Sequence, residues 1–447
     1  MEFGDSSEDE DVGKVRVKFV TKIPSIRVTE TPIAVPETLQ RYGLSDVVNH
    51  LLGRDPPTPF DMLVMGRFLR SSLRSILRRN ALSGEAVLEV EYMPAIRQPT
   101  EAEHAEQPDW VSAVASAGKD GAFFVTGCYD GCLRVYGSDC KVASVEEAHH
   151  SPVTALCAVP SGSQSCLFLS GSKDMTARLW RASGSHSDDC TLETVSLLHG
   201  HTNSISSVFA SGLAGFTGDW DGHVCIWDVA DPETGMGVQS KDNAPALKET
   251  KRRKTSSGRP TSALAEQEPK AGFRAHNQVV TGLAGQNGTG EDIGEGNDNT
   301  LFSSSLDHAV KTWDVERQDC VSTVNAPKAV TCLACSSNGR MLATGHPDAH
   351  VRIWDTRSKE QTLTRASLSS HKQWISAVAW VPGSETMVAS CAYDGGVKLW
   401  DIRSTLPLHS AHAHEGKALC MGWHDGKIVS GGTDGAVKTY LVPDTHT

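Results

Sequence analysis

Strict alternation of apolar and polar residues marks the first ordered part of the chain. In KVRVKFV, residues 14–20, every second residue is apolar, which predicts a strand with one buried face. IRVTETPIAV, residues 26–35, follows as its hairpin partner, and AVLEVEY, residues 86–92, repeats the alternation. Three half-buried strands are therefore expected at the two ends of this segment.

Helical spacing and turn residues fill the interval between these strands. LSDVVNHLLG predicts a helix with Ser45 as its N-cap and Gly53 as its end. FDMLVMGRFLR predicts two short strands around Gly66, and RSSLRSILRR predicts a short second helix. The order of strand, strand, helix, strand, strand, short helix and strand predicts a ubiquitin-like α+β domain over residues 14–92.

A second pattern recurs seven times over residues 110–445. Each copy has a Ser or Thr, then an Asp four residues later, then an aromatic residue six positions after the Asp. The aspartates are Asp130, Asp174, Asp221, Asp307, Asp348, Asp394 and Asp434. The aromatic residues are Tyr136, Trp180, Trp227, Trp313, Trp354, Trp400 and Tyr440. This repeat resembles the WD repeat, in which about 40–45 residues form one four-stranded blade of a β-propeller.

Histidines reinforce the resemblance to WD repeats, because several stand just before predicted strands. They are His150, His201, His276, His371 and His414. The resemblance implies that Asp, His, Ser or Thr, and Trp form a hydrogen-bonded relay inside each blade. Copies at every blade indicate a structural role, since a Ser-His-Asp hydrolase needs one set that opens onto a pocket. A mainly β fold is therefore expected, with a seven-bladed propeller behind the ubiquitin-like domain.

The remaining segments differ from both domains in composition. Residues 1–13 carry six acids and no base and predict a disordered acidic tail. The connector 93–109 is expected to supply, around MPAIRQP, the outer strand that closes the last blade. Residues 231–270 are rich in charge, Ser and Pro and predict a disordered insert. Within that insert lies a candidate nuclear localisation signal, Lys251, Arg252, Arg253 and Lys254.

Charge and cysteine usage narrow the class of protein. The net charge is −12, and the part after residue 97 carries −11 of it, so bulk electrostatics do not favour RNA binding by the propeller. The N-terminus is acidic where a signal peptide is basic and then apolar, and a soluble protein is expected. The pair Cys332 and Cys335 has no second ligand pair, so buried thiols are expected rather than zinc.

The two domains together resemble one specific family. LQRYGLSDVVNHLLG, PFDMLVMGRFLRSSL and ALSGEAVLEVEY, followed by the propeller, are similar to the WD-repeat ribosome-biogenesis protein of the nucleolar Pescadillo and block-of-proliferation complex. The resemblance implies a non-enzymatic scaffold for large-subunit assembly and pre-rRNA processing, with no cofactor and no metal of its own. It also implies a location in the nucleolus and nucleoplasm.

One glutamate acquires a role through this resemblance. In the family, the ubiquitin-like domain docks on the adhesion site of the AAA ATPase midasin, and a glutamate before the last strand completes the coordination of the ATPase's Mg²⁺. That position here is Glu85. A carboxylate at a turn suits Mg²⁺, a hard ion that accepts few protein ligands. The implied partners are midasin, the block-of-proliferation protein, a Pescadillo-family protein and the pre-ribosomal particle.

Two questions stay open at the level of sequence. Arg70, Arg74 and Arg78 are spaced by four and form either a solvated helix face or a contact with midasin or rRNA. WDTR and WDIR, ending at Arg357 and Arg403, resemble the signature of propellers that serve as substrate receptors of cullin ubiquitin ligases, which gives an alternative function. The propeller face that meets a partner is not indicated by the sequence.

Overall fold

The computed structural model describes residues 13–80, 87–117, 123–137, 139–160, 166–183, 190–229, 265–285, 300–357 and 364–442. The chain divides into two compact units, one reaching to Gln98 and one spanning Pro99–Val442. A membrane span needs about 20 apolar residues in a row. The two α-helices in the described ranges, of 12 and 7 residues, both fall short of it.

The N-terminal unit is a five-stranded sheet with two helices, in the order that the sequence predicts. The strands are β1 (Lys14–Val20), β2 (Ile33–Pro36), β3 (Phe60–Val64), β4 (Arg67–Phe68) and β5 (Leu88–Pro94). The helices are α1 (Arg41–Leu52) and α2 (Leu73–Arg79), with a 3-10 turn at Pro24–Ile26. The sheet order is β2-β1-β5-β3-β4, with β1 and β5 parallel, which confirms the ubiquitin-like topology.

The alternating residues of β1 and β5 build the core of this unit. Val15, Val17 and Phe19 are buried, as are the apolar residues of β5. The phenol of Tyr92 donates to the carbonyl of Ile26 at 2.6 Å, so the hydroxyl of this buried side chain has a hydrogen-bond partner. Burial of one strand face against α1 therefore explains the alternation seen in the sequence.

Helix α1 begins five residues earlier than the sequence predicted. Its N-cap is Gln40, and Ser45 lies on the buried face of the helix instead. There the Ser45 hydroxyl accepts the backbone N–H of Phe60 at 3.0 Å, a donor that would otherwise be buried without a partner. Gly53 ends the helix with φ of 61°, the left-handed conformation that glycine adopts most easily.

The second unit is a seven-bladed propeller, as the repeat predicts. Blade 1 comprises Val111–Ala117, Phe123–Cys128, Cys132–Gly137 and Val142–Glu147, and blade 2 comprises Val153–Val159, Cys166–Ser172, Thr176–Ser183 and Thr191–His199. Blade 3 comprises Ile205–Ser211, Ala214–Asp219, His223–Asp228 and Ala271–Arg274, and blade 4 comprises Val280–Gly285, Thr300–Ser305, Ala309–Asp314 and Asp319–Asn325. Blade 5 comprises Cys332–Cys335, Met341–Gly345, His350–Asp355 and Thr364–Ser369. Blade 6 comprises Ile375–Trp380, Met387–Ala392, Gly396–Asp401 and His409–His412. Blade 7 comprises Ala418–His424, Lys427–Gly432, Ala436–Leu441 and Thr100–Glu106. The first strands of successive blades contact one another, and that of blade 7 contacts that of blade 1.

The strand that closes the ring comes from before the first blade. Thr100–Glu106 pairs antiparallel with Ala436–Leu441 as the outer strand of blade 7. The sequence predicted this strand around MPAIRQP, residues 93–99, but it begins at Thr100, because Met93 and Pro94 still belong to β5. The segment TEAEHAE is mostly polar and largely exposed, so hydrophobic alternation could not locate it.

Hydroxyl groups tie neighbouring blades together around the inner ring. In six blades a Ser or Thr of the first strand donates to a backbone carbonyl at the start of the next blade, at 2.5–2.8 Å. These residues are Ser112, Thr154, Ser206, Thr281, Thr331 and Ser376. Leu419 stands at this position in blade 7, and there a thiol, Cys420 Sγ, lies 3.5 Å from the carbonyl of Val111.

Replacing Leu419 with threonine is expected to give a more stable propeller than replacing it with valine. The new hydroxyl can donate to the Val111 carbonyl and add a seventh bridge, worth about 0.5–1.5 kcal/mol. Leu419→Val is the control, because valine has the shape of threonine without the hydroxyl. Urea denaturation of both variants measures the difference, and a Thr variant no more stable than the Val variant contradicts the bridge.

The prediction that residues 231–270 form a disordered insert is wrong for the C-terminal end of that range. Residues 230–264 lie outside the described residues, whereas Ala265–Gln267 pairs parallel with Thr191–His199 as a fifth strand of blade 2. Lys270 then forms an ion pair with Asp228 at 2.9 Å. Backbone hydrogen bonding to an open sheet edge needs no apolar pattern, which is why composition alone misassigned these residues.

Candidate partner-binding surfaces

The recurring polar residues of the repeat form hydrogen-bonded relays inside blades. In blade 6, Nδ1 of His371 lies 3.2 Å from both carboxylate oxygens of Asp394, and its Nε2 lies 2.8 Å from the hydroxyl of Ser390. The indole of Trp400 donates to the same hydroxyl at 2.7 Å. The other histidine and aspartate pairs are His149–Asp174, His201–Asp219, His276–Asp307 and His414–Asp434.

Two of the predicted relay residues are wrong. In blade 2 the relay histidine is His149, which is buried, while the neighbouring His150 is exposed and gives only its backbone N–H to Asp174. In blade 3, Asp219 takes the imidazole of His201 at 2.9 Å. Asp221 instead accepts a hydrogen bond from the amide of Asn203 near the surface.

Blades 1 and 5 satisfy their aspartates without a histidine relay. Asp130 is paired with Arg134, and Asp348 with Arg352, each at 2.6 Å. Gln107 donates to the hydroxyls of Thr126 and Tyr136 in blade 1, and His346 contacts Thr344 in blade 5 at 2.9 Å. The sequence carried a signal for this, since no predicted histidine precedes either blade.

The serine hydroxyls of the relays are buried and hydrogen-bonded, so a substrate cannot reach them. Ser170, Ser303, Ser390 and Ser430 are completely buried, and each lies within hydrogen-bond distance of a histidine. Buried polar groups that satisfy one another in this way fix the position of the sheet. The arrangement therefore supports the blades and offers a substrate no access.

Stability of the propeller is expected to fall as the solution is acidified below neutrality. Burial lowers the pKa of His149, His276, His371 and His414, against the opposing effect of their aspartates. In the unfolded chain these histidines take up protons at about pH 6.5, whereas the folded protein resists protonation. The stabilisation is complete above that pH and is lost progressively below it. Thermal melting from pH 8 to pH 5 at constant ionic strength tests this, and a constant melting temperature contradicts it.

Glu85 lies in the segment 81–86, outside the described residues, and the structure describes the elements on both sides of that segment. Helix α2 ends at Arg79, with Asn80 as its C-cap. Strand β5 begins at Leu88, which is buried and pairs with Val17 of β1. The segment that carries Glu85 therefore joins two elements that are packed into the core.

An apolar groove of about 430 Å³ lies beside the start of β5. Leu63 and Leu77 contribute to its lining, together with Met65 and Val87, whose side chains are 68% and 45% exposed. Val87 stands two positions after Glu85 in the sequence. Large exposed apolar side chains at the margin of a groove are typical of protein-binding surfaces.

Of the three arginines predicted to share one helix face, only two lie on the helix. Arg70 precedes α2 and lies with its guanidinium 5.3 Å from the centre of the Phe68 ring. Arg74 and Arg78 are on α2, and Arg74 Nε is 3.9 Å from a carboxylate oxygen of Glu37. Arg70 therefore does not share a helix face with the other two.

The other candidate residues are buried thiols, ion-paired arginines or residues outside the described ranges. Cys332 and Cys335 lie at the two ends of one strand, and burial raises the pKa of both thiols to about 12. Arg357 and Arg403 each pair with the aspartate two residues before them, Asp355 and Asp401. The candidate localisation signal, Lys251 to Lys254, and residues 1–12 lie outside the described residues.

Comparison with known proteins matches both units. The NLE (NUC135) domain family matches residues 15–77, and the WD domain, G-beta repeat family matches residues 100–137, 140–181 and 192–228. The N-terminal domain of the nucleolar protein 10-like family matches residues 293–437. A Chlamydomonas reinhardtii protein named ribosome biogenesis protein WDR12 homolog is 35% identical, covering 96% of this chain and 97% of its own length.

The chain belongs to the WDR12/YTM1 family of ribosome biogenesis proteins. Two further members are similar over nearly their full length. The rice WDR12 homolog (Oryza sativa subsp. japonica) is 33% identical over 94% of this chain and 95% of its own. The YTM1 protein of Eremothecium gossypii is 30% identical over 96% and 97%. The resemblance drawn from the sequence is thus confirmed, and no finding favours the cullin alternative.

Proposed function

We propose that the chain is a non-enzymatic assembly factor that acts in pre-rRNA processing and large ribosomal subunit biogenesis. The observation that carries this proposal is the similarity of both units together, over 96% of the chain, to a protein named for ribosome biogenesis. Association with a pre-ribosomal particle, in the nucleolus and nucleoplasm, follows from that role.

The two units divide the work in this proposal. The propeller anchors the chain on the block-of-proliferation protein and its Pescadillo-family companion. Its ring closes on itself, and its polar relays are satisfied internally, so it forms a rigid support. The ubiquitin-like unit is the part that the adhesion-site domain of midasin holds.

Glu85 is the residue proposed to complete the coordination of the Mg²⁺ held by midasin. A carboxylate oxygen is the ligand that this ion prefers, and Mg²⁺ commonly takes one or two carboxylates from proteins. Helix α2 and strand β5, on either side of the segment that carries Glu85, are both packed into the core. Met65 and Val87, exposed beside the adjacent groove, add an apolar contact for the same partner.

The sheet topology suits a domain that is pulled. Strand β5 follows the Glu85 turn and is the central strand, paired with β1 on one side and β3 on the other. A force applied at the start of β5 is therefore borne by two hydrogen-bonded ladders at once. ATP-driven pulling by midasin then releases the chain and its partners from the particle before the domain unfolds.

Release from purified pre-ribosomal particles tests the proposal. Wild-type chain is expected to leave the particle when midasin and ATP are present, whereas the Glu85→Ala variant stays bound. Asp46→Ala, which removes an exposed carboxylate from α1, is the control and is released like wild type. Equal release of the Glu85→Ala variant contradicts the midasin step, and absence of wild-type chain from the particles contradicts the assembly role.

A further inference from the structure

The part of the chain that leads into and forms helix α2 carries five arginines and no acid. They lie within residues 65–80, and all five are exposed: Arg67, Arg70, Arg74, Arg78 and Arg79. We call the three on the helix, Arg74, Arg78 and Arg79, the α2 arginines. The surface of the ubiquitin-like unit is therefore positive along this helix.

The ubiquitin-like unit neutralises little of this charge. Where the structure describes both partners, the one ion pair of the α2 arginines joins Arg74 Nε to a carboxylate oxygen of Glu37 at 3.9 Å. Arg78 and Arg79 have no described carboxylate within 4.0 Å. A long and exposed contact such as the one to Glu37 is weak, so the helix keeps nearly all of its positive charge.

The acids of β5 pair with other cations. Glu89 lies 3.7 Å from Lys18 and Glu91 lies 3.2 Å from Lys22, each measured from ammonium nitrogen to carboxylate oxygen. Glu85 is the remaining acid near α2 in the sequence, and it belongs to the undescribed segment 81–86. The five arginines therefore remain in excess when both Glu37 and Glu85 are counted against them.

The fold gives no reason for the like charges on α2. The helix packs through Leu73 and Leu77, which are buried, whereas its three arginines are exposed. Arg74 and Arg78 are four residues apart and hence adjacent on the helix surface, where two like charges disfavour the helix. A surface that is unfavourable in the bare unit points to an anion that covers it.

The acidic segment 1–12 joins the ubiquitin-like unit beside this helix. The carbonyl of Gly13 accepts the backbone N–H of Glu37 at 2.9 Å, and the carbonyl of Glu37 accepts the backbone N–H of Arg74 at 2.8 Å. One residue thus links Gly13 to the first turn of α2. Segment 1–12 is therefore attached at the end of the helix where Arg74 lies.

The charge and the length of this segment match the helix. Residues 1–12 carry six acids and no base, and four of the acids are consecutive, from Glu8 to Asp11. A run of four residues spans about 13 Å when it is extended, and α2, with seven residues, is about 10 Å long. Only Val12 separates the run from Gly13, so the carboxylates start close to Arg74.

We propose that the acidic segment 1–12 binds back on the α2 arginines of its own unit. The run from Glu8 to Asp11 supplies carboxylates to the guanidinium groups, a pairing that is bidentate in its best geometry. Because the segment is tethered at Gly13, its effective concentration at the helix is on the order of millimolar, and weak exposed ion pairs suffice to hold it. An acidic protein or the phosphates of RNA must compete with this tethered anion.

A segment bound on α2 lies next to the surface that midasin is proposed to hold. Helix α2 ends at Arg79, six residues before Glu85, and Leu77 of α2 lines the apolar groove together with Val87. The bound segment lowers the fraction of the chain that is open to midasin, and the apparent affinity falls in proportion to that fraction. This second part of the inference rests on the proposed function, whereas the contact itself does not.

Photo-crosslinking of the isolated full-length chain tests the contact without midasin. p-Benzoylphenylalanine replaces Ser7, so that no charge is removed, and crosslinks in the monomeric band are mapped by mass spectrometry. The same label is placed in a chain with Arg74→Gln and Arg78→Gln, because glutamine favours a helix about as well as arginine. The matched control carries Arg27→Gln and Arg54→Gln, two exposed positions outside α2.

The expected result is a crosslink from position 7 to residues 65–80. Its yield is expected to be about fivefold lower when Arg74 and Arg78 are glutamine and unchanged in the control with Arg27→Gln and Arg54→Gln. Crosslinks mainly to other parts of the chain, crosslinks only between two copies, or equal yields in the two double variants overturn the proposed contact.

Neutralising the acidic run is the second test, and it changes no described residue. In the variant with Glu8→Gln, Asp9→Asn, Glu10→Gln and Asp11→Asn, the crosslink yield is expected to fall as it does in the helix variant. The affinity for the isolated adhesion-site domain of midasin is expected to rise about fivefold. An unchanged yield overturns the contact, and an unchanged affinity overturns its effect on midasin.

Failure of this inference and failure of the proposed function give different results. If wild-type chain does not bind the adhesion-site domain but the crosslink to residues 65–80 forms, the midasin step is wrong and the contact stands. If wild-type chain binds the domain but the crosslink does not form, the contact is wrong and the proposed function stands.

Discussion

Replacing His149 with alanine is expected to destabilise the propeller by about 3–5 kcal/mol, while His150→Ala changes its stability by less than about 0.5 kcal/mol. His149 lies 3.0 Å from Asp174 and 2.8 Å from Ser170, and its side chain is completely buried. Its loss leaves a carboxylate and a hydroxyl without their buried partner. His150 is exposed and contributes only its backbone N–H to the relay.

Urea denaturation of the two alanine variants, followed by tryptophan fluorescence, measures this difference. The two histidines are adjacent, so substitution at either removes the same side chain from the same segment of chain. Equal loss of stability in both variants contradicts the assignment of His149 to the relay. A larger loss for His150→Ala would restore the residue that the sequence first indicated.

Replacing Glu85 with alanine is expected to weaken binding of the full-length chain to the isolated adhesion-site domain of midasin at least about 100-fold, which is about 2.7 kcal/mol. The substitution removes the one oxygen ligand that the chain is proposed to give the Mg²⁺ ion, and a neutral methyl group cannot replace it. Glu85→Asp keeps the carboxylate but shortens its reach by one methylene, and an intermediate loss is expected.

Titration calorimetry measures the affinities of wild type, Glu85→Ala and Glu85→Asp, and a fourth protein, Asp46→Ala, is the control. Asp46→Ala removes one negative charge from α1 of the same unit and is expected to bind like wild type. Equal affinity of the Glu85→Ala variant and wild type would show that the turn is solvated. Loss of affinity in Asp46→Ala as well would indicate that general charge, rather than one ligand, governs binding.

Side-chain periodicity made most of the fold predictable from sequence. A period of two identified β1 and β5, and a spacing of four and six residues around each aspartate identified all seven blades. These patterns reflect which residues face the core, because successive residues of a strand point to opposite faces of the sheet. Positions whose partners lie elsewhere in the chain were less predictable.

Each error has a physical cause of this kind. His149 and His150 are adjacent, so spacing alone could not decide which one turns inward. Thr100–Glu106 and Ala265–Gln267 pair through their backbones, and such pairing leaves no apolar pattern.

The most direct test of the account is the metal dependence of binding between the wild-type full-length chain and the adhesion-site domain of midasin. We expect binding in Mg²⁺, loss of binding when EDTA is added, and recovery when Mg²⁺ is restored. That result places an ion between the two proteins, as the proposed role of Glu85 requires. Binding of the same strength in EDTA, or no binding in Mg²⁺, contradicts the account and leaves the propeller as the part that carries the function.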